Sequence, residues 1–261
     1  MGFPFRRRGV VCSQARLHAQ ADFSRSIDRV RTTAKGARML FSQRRPSPLL
    51  ALAGAIATIW ILSGAVVFGA LRSSYDASHA ISELGEQGST NAVAWNIIGF
   101  GGTALLYVLY SVAIAAVLGR GWLFRLTVVQ ALGAAGSGLF SCDPGCPPVM
   151  VTWQGWVHTV TGLTSFAATC VIPVLAWHTF RRRADFRPLA QVSLVTGVLL
   201  IALFLAGPFL FGPERIGLWQ RVTILLSGAW AAAVALRLGT LLGRDSRGAT
   251  TTPTSPAGAH G

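Results

Sequence analysis

Residues 49–71 read LLALAGAIATIWILSGAVVFGAL, a run with no charge between the Arg44-Arg45 pair and Arg72. A helix needs roughly 20 apolar residues to cross the hydrocarbon core of a bilayer. Five further apolar runs follow, at about Trp95–Leu118, Trp122–Phe140, His158–Trp177, Leu189–Phe211 and Leu218–Leu242. The chain therefore reads as an all-α membrane protein, a bundle of six transmembrane helices. Residues 1–48 read as a basic cytoplasmic arm, 49–243 as the six-helix domain and 244–261 as a flexible tail. Met39 is an alternative start that would shorten the arm.

Only 12% of the 261 residues are charged, against roughly 25% in a soluble domain. The six runs leave no room for a soluble catalytic domain, so any chemistry sits in the bundle or at its edge. The net charge of +14 would suit nucleic acid, but its distribution argues against that partner. Arg44, Arg45, Arg120, Arg125, Arg181, Arg182, Arg183, Arg187, Arg244 and Arg247 fall in alternate segments. The acids Asp76, Glu83, Glu86, Asp143 and Glu214 lie in the others. Cytoplasmic loops of membrane proteins carry the excess of arginine. This pattern puts both termini in the cytoplasm, in a multi-pass protein of the cell membrane. The bilayer is the first partner, and basic loops favour anionic headgroups.

The two long loops, residues 72–94 and 141–157, both fall on the external side. Trp95, Trp122, Trp153, Trp156, Trp177 and Trp219 suit an interfacial aromatic belt. Gly99, Gly101 and Gly102, and Gly133, Gly136 and Gly138, let helices approach closely, which is how membrane helices associate. Pro173 and Pro208 are expected to bend their helices. Cys142 and Cys146 bracket Asp143-Pro144-Gly145. Outside the cytoplasm this pair can form a disulfide or stay reduced. Cys12 and Cys170 read as unpaired. The chain offers no metal site and calls for no cofactor.

Ionisable groups at the membrane edge are informative because burying them is costly. The candidates are Glu83, Asn96, Asp143, His158, Glu214, Arg215 and Arg221, all at the outer headgroup level. Each also has a plain structural role open to it: Asp143 in a turn, His158 at a helix start, Glu214-Arg215 as an exposed pair. Arg221 is hardest to dismiss. It lies a turn inside an apolar helix and needs a partner, with Asp143 or Glu214 the first expectation. Gln130 and Arg237 read as packing and snorkelling residues.

Ile81-Ser82-Glu83-Leu84-Gly85 follows the first helix, and Asn96 and Gly99 open the second. Gly138-Leu139-Phe140-Ser141-Cys142-Asp143 closes the third, followed by Gly155 and His158. Gly217-Leu218-Trp219-Gln220-Arg221 begins the sixth. In this order the chain resembles the prokaryotic membrane family called domain of unknown function 998, over roughly residues 50–242. In that family a His often stands where this chain has Gln154, four before His158, which weakens any two-histidine metal site. The resemblance implies six helices and an outward polar cluster, and supplies no activity.

Three functions remain open. The cluster could bind a lipid headgroup or small polar ligand, Arg215 and Arg221 meeting an anionic group while Glu83, Asp143 and His158 orient it. It could belong to an intramembrane hydrolase. There Asp143, His158 and Glu83 would hold a metal or activate water, or His158 would serve as base to Ser82. A single outer His falls short of the two or three usual in hydrolytic zinc sites. Or the cluster could be structural, locking the external loops to the bundle.

Overall fold

The computed structural model describes residues 46–248. The expected basic arm up to residue 45, with Cys12 and Met39, and the tail beyond residue 248 lie outside the described residues. Among the described residues the chain forms six long helices: α1 (Leu49–Ala70), α2 (Ala92–Leu118), α3 (Trp122–Leu139), α4 (Trp153–Phe180), α5 (Arg187–Phe211) and α6 (Ile216–Gly248). Five of them are long and apolar enough to cross a membrane. The exception is α3, 18 residues long, whose Arg125, Gln130 and three glycines dilute its hydropathy.

Each helix packs on its neighbours in sequence, and α6 closes back on α1, so the six form a ring. Glycines set the close approaches. A methyl group on Gly133 of α3 would come within 2.7 Å of the Thr161 carbonyl oxygen on α4, and one on Gly54 of α1 within 2.9 Å of the Tyr110 ring on α2. One on Gly228 of α6 would collide with Thr58 of α1. The outward faces stay apolar, with Val66, Leu132, Leu236 and Val195 exposed, as a lipid-facing surface requires.

The two ends of the ring differ. At the arginine-rich end every helix contributes to one dense core, including Ala51, Tyr110, Leu123, Ile172, Ala190 and Leu238. At the end bearing the two long loops a smaller cluster of Ile61, Ala65, Ile81, Leu84 and Trp95 packs one side. The space beside it is open.

Several boundaries and burials differ from the sequence reading. Helix α4 starts at Trp153 rather than His158, because the Thr152 hydroxyl caps it by accepting from the Gly155 N–H at 3.0 Å. Trp95 and Trp219 are buried, 0% and 6% exposed, and so are not belt residues, whereas Trp122, Trp153 and Trp156 are exposed. Pro173 and Pro208 lie inside α4 and α5, the helices in which the sequence placed them. Arg237 does more than snorkel: its Nε donates to the Asp185 carbonyl at 2.5 Å and its Nη2 lies 3.3 Å from the Asp185 carboxylate. Residues 96–101 of α2 form a π turn. Such a turn frees carbonyls, and Trp60 Nε1 donates to that of Ile98 at 2.7 Å.

Candidate functional site

The first long loop begins where Arg72 leaves α1. Its Nη2 lies 2.6 Å from Glu86 Oε1, and its Nη1 donates to the Glu83 carbonyl at 2.8 Å. Glu86 is buried, and its other oxygen accepts from the Gly145 N–H in the second long loop. The neighbouring Gln87 continues the seam. Its N–H donates to the Cys142 carbonyl at 3.0 Å, and its amide reaches Asp143 Oδ1 at 3.2 Å and Thr152 Oγ1 at 3.1 Å. Glu86 and Gln87 carry the junction between the loops, yet neither stood out in the sequence. An acid set between Gly85 and Gly88 on the acidic side was the available signal.

Asp143 is buried and fully engaged. Oδ2 accepts from the N–H groups of Val151 (2.5 Å) and Thr152 (3.1 Å), and Oδ1 from the Thr152 hydroxyl and Gln87. The Thr152 hydroxyl, then the backbone donors, hold its carboxyl below the usual carboxylate range. Cys142 and Cys146 flank it, their Cα atoms 5.3 Å apart and their sulfurs bonded.

Glu83 sits in the short 3-10 turn Ile81–Gly85, where its carboxylate accepts from the Ala80 N–H at 2.9 Å and lies 3.6 Å from His79 Nδ1. Partial burial raises its pKa. Asn96 opens the π turn and donates to the Gly85 carbonyl at 3.1 Å and the Ser141 hydroxyl at 2.9 Å, tying the turn to the end of α3.

Arg221 has no acidic partner among the described residues, which corrects the expected pairing with Asp143 or Glu214. Its Nη1 donates to the carbonyls of Ala77 (2.9 Å), His79 (3.0 Å) and Gly217 (3.0 Å), and its Nη2 to the Tyr75 hydroxyl (2.8 Å). It thus clamps the first loop onto α6. Gln220 assists, accepting from the Ile81 N–H at 2.7 Å. Glu214 and Arg215 are exposed in the short turn Pro213–Arg215 and make no side-chain hydrogen bond among the described residues. No hydrogen bond or ion pair joins any two of the seven candidates among the described residues, nor is there a cluster of three metal-ligating side chains.

His158 behaves differently. A helix leaves its last carbonyls without intrahelical partners. His158 Nδ1 lies 3.0 Å from the Ser137 carbonyl oxygen and 2.8 Å from that of Phe140, both at the end of α3. Two acceptors at Nδ1 require the proton there, so in the neutral ring Nε2 carries a bare lone pair. That atom has no partner among the described residues.

His158 also lines a cavity of about 260 Å³ in the open half of the ring. The cavity runs from Ala80–Ser82 and Cys146–Met150 at the loops to Tyr107, Thr169 and Ser227 in the bundle middle. Its walls are apolar residues such as Ile61, Phe100, Phe166, Trp219 and Ile224, interrupted by Ser82, Thr103, Thr159 and Gln220. Among the described residues, no Asp, Glu, Lys or Arg lines it. The Thr159 hydroxyl is buried with no hydrogen-bond partner among the described residues. A smaller cavity of about 20 Å³ lies beyond, between Tyr110, Gln130 and Thr169. Gln130 there donates to the Thr169 hydroxyl at 2.8 Å. Of the seven expected site residues, His158 alone lines the larger cavity; Ser82 joins it there.

No curated protein and no solved structure matches this chain. The family described as Protein of unknown function (DUF998) matches residues 40–237, most of the chain, and the chain belongs to that family.

Proposed function

We propose that this DUF998 protein is a six-span protein of the cell membrane that binds a small amphipathic molecule without net charge in its loop-end cavity. Both termini lie in the cytoplasm and the two long loops outside. The arginine distribution supports the topology: Arg120, Arg125 and Arg181–Arg183 share one end of the ring, and such residues favour the cytoplasm. The observation that carries the binding reading is the uncharged cavity with the bare His158 Nε2 on its wall. Pockets that hold small molecules are mostly apolar with a few placed polar groups. An anionic ligand would find no counter-charge in it, and Arg221 already spends four donor contacts on the fold.

The test fills the cavity. A methyl on Gly162 of α4 would lie 3.4 Å from the Ser137 hydroxyl, an ordinary contact, and a longer side chain would extend into the lumen. Native mass spectrometry of detergent-purified wild type is expected to show a co-purifying small molecule that Gly162→Leu lacks. Equal occupancy in both proteins would sink the reading. Cysteines introduced at Gly88 and Gly121 test the topology, with only the first reacting with an impermeant reagent on intact cells.

An intramembrane hydrolase is the second reading, favoured by Ser82 and His158 lining one cavity. His158 would act as base and Ser82 as nucleophile. Backbone carbonyls rather than a carboxylate orient the imidazole, so the base would be weaker than in an acid-backed triad. Labelling by a fluorophosphonate that Ser82→Ala abolishes would bring this reading forward.

A further inference from the structure

The cavity reaches the outer surface of the ring on one side, where residues that line it are exposed. Helix α5 stands between α4 and α6 in the ring, yet none of its residues lines the lumen. A stack of Phe166 on Trp219, ring centroids 5.5 Å apart, walls the lumen toward α5, and Trp219 Nε1 donates to the Leu203 carbonyl at 2.8 Å. Beside that stack, Leu163 lines the cavity while remaining 50% exposed. Leu163 is ten residues past Trp153, the first residue of α4, about 15 Å along the helix axis. Its exposed face therefore meets lipid rather than water. Ile216, the first residue of α6, and the exposed Pro148 also line the cavity.

We infer that the occupant is an uncharged, hydroxyl-bearing membrane lipid whose head enters sideways past Leu163 and whose chains stay in the bilayer. This rests on the cavity-binding reading above. Size, charge and hydrogen bonding point the same way. Pockets for whole drug-sized molecules run from about 300 to 1,000 Å³, so 260 Å³ suits a small head and the first methylenes. No charged residue among the described ones lines the cavity, which disfavours a phosphate or ammonium head, because a charge desolvated there would be uncompensated. The polar atoms form a matched set. The bare His158 Nε2 accepts from a hydroxyl. The half-buried Ser82, also on the lining, has a hydroxyl with no hydrogen-bond partner among the described residues, and it donates to an ester or amide carbonyl. A glycerolipid such as a diacylglycerol carries both groups.

The test uses the full chain in detergent, with native mass spectrometry titrations of three probes. Dioleoylglycerol has the proposed chemistry. Dioleoylphosphatidate adds a charge to the same chains. Monobutyrin is an uncharged hydroxyl ester that reaches the site from water. Two variants accompany them. His158→Asn keeps an N–H for the Ser137 and Phe140 carbonyls but removes the Nε2 lone pair. Leu163→Trp narrows the opening at an already exposed position. Dioleoylglycerol is expected to bind at least about tenfold better than the phosphatidate, and each variant to weaken it about tenfold. Equal binding of the phosphatidate would overturn the inference. Tighter binding of monobutyrin, unaffected by Leu163→Trp, would also overturn it while leaving the cavity as the binding site. Binding of none of the probes by cooperatively unfolding protein would overturn both.

Discussion

Arg72 and Glu86 meet at 2.6 Å across the base of the first long loop, and the free oxygen of Glu86 reaches on to the Gly145 N–H of the second. One carboxylate thus joins a helix end and two loops. Glu86→Gln leaves Arg72 facing a neutral amide and turns one of the two oxygens that accept from Arg72 and the Gly145 N–H into a donor. Hydrogen bonds to charged groups are worth roughly 1.5–3 kcal/mol each. A loss of about 2 kcal/mol or more is expected, read as a lowered Tm in detergent. An unchanged Tm would show that the seam does not hold the loops.

Asp143 and Glu83 titrate in opposite senses. The Asp143 pKa is depressed in the fold by the Thr152 hydroxyl and the Thr152 and Val151 N–H groups. Its contribution to stability is present above the unfolded value, about 3.9, and is lost as pH falls through the lower folded value. Partial burial raises the Glu83 pKa, so Glu83 favours the fold below its unfolded value of about 4.3 and ceases to do so as pH rises through the folded one. Asp143→Asn is expected to remove the fall in Tm below about pH 4. Glu83→Gln is expected to flatten the slope above that point. A wild-type slope retained in both variants would show that other groups set the acid response.

Arg221→Lys keeps the charge but cannot span three carbonyls and the Tyr75 hydroxyl with a planar fork. Lost expression or a Tm drop worth about 2 kcal/mol is expected. Tyr75→Phe removes one acceptor and should cost nearer 1 kcal/mol. A double mutant whose cost equals the sum of the two would show that the groups act independently.

Two helical glycines should respond oppositely to alanine. A methyl on Gly217 would collide with the His79 carbonyl, a backbone atom, and Gly217 N–H also donates to the Ser78 carbonyl at 2.8 Å. Gly162 has room for the methyl. Gly217→Ala is expected to reduce the yield of folded protein severalfold, and Gly162→Ala to leave it unchanged. The comparison is read by fluorescence-detected size-exclusion chromatography.

The helices were legible because hydropathy accumulates over twenty residues and tolerates errors at the ends. The start of α4 was displaced by five residues because one Thr152 side chain, not hydropathy, sets it. Arg221 was recognisable as a residue in need of partners. Its partners were not, because the carbonyls of Ala77 and His79, 144 and 142 residues away, have no side-chain signature. Likewise nothing local marks Trp95 as buried. That follows from Phe68 and Phe100 packing around it, with ring centroids at 5.5 and 5.8 Å. The cavity was invisible for the same reason: it is a space between helices, made by ordinary residues such as Ile61, Phe100 and Gly162.

The closure of α6 on α1 constrains the protein's birth. During synthesis the helix that completes the lumen, α6, follows the other five described helices out of the ribosome. Until Gly228 reaches Thr58 and Arg221 reaches the first loop, α1 has an uncovered flank and the lumen lacks a wall. A nascent chain stalled before α6 would already hold five helices and the Glu86–Gly145 seam, and still lack one wall of the cavity. Membrane quality control would then have an uncovered α1 by which to recognise chains that lack α6.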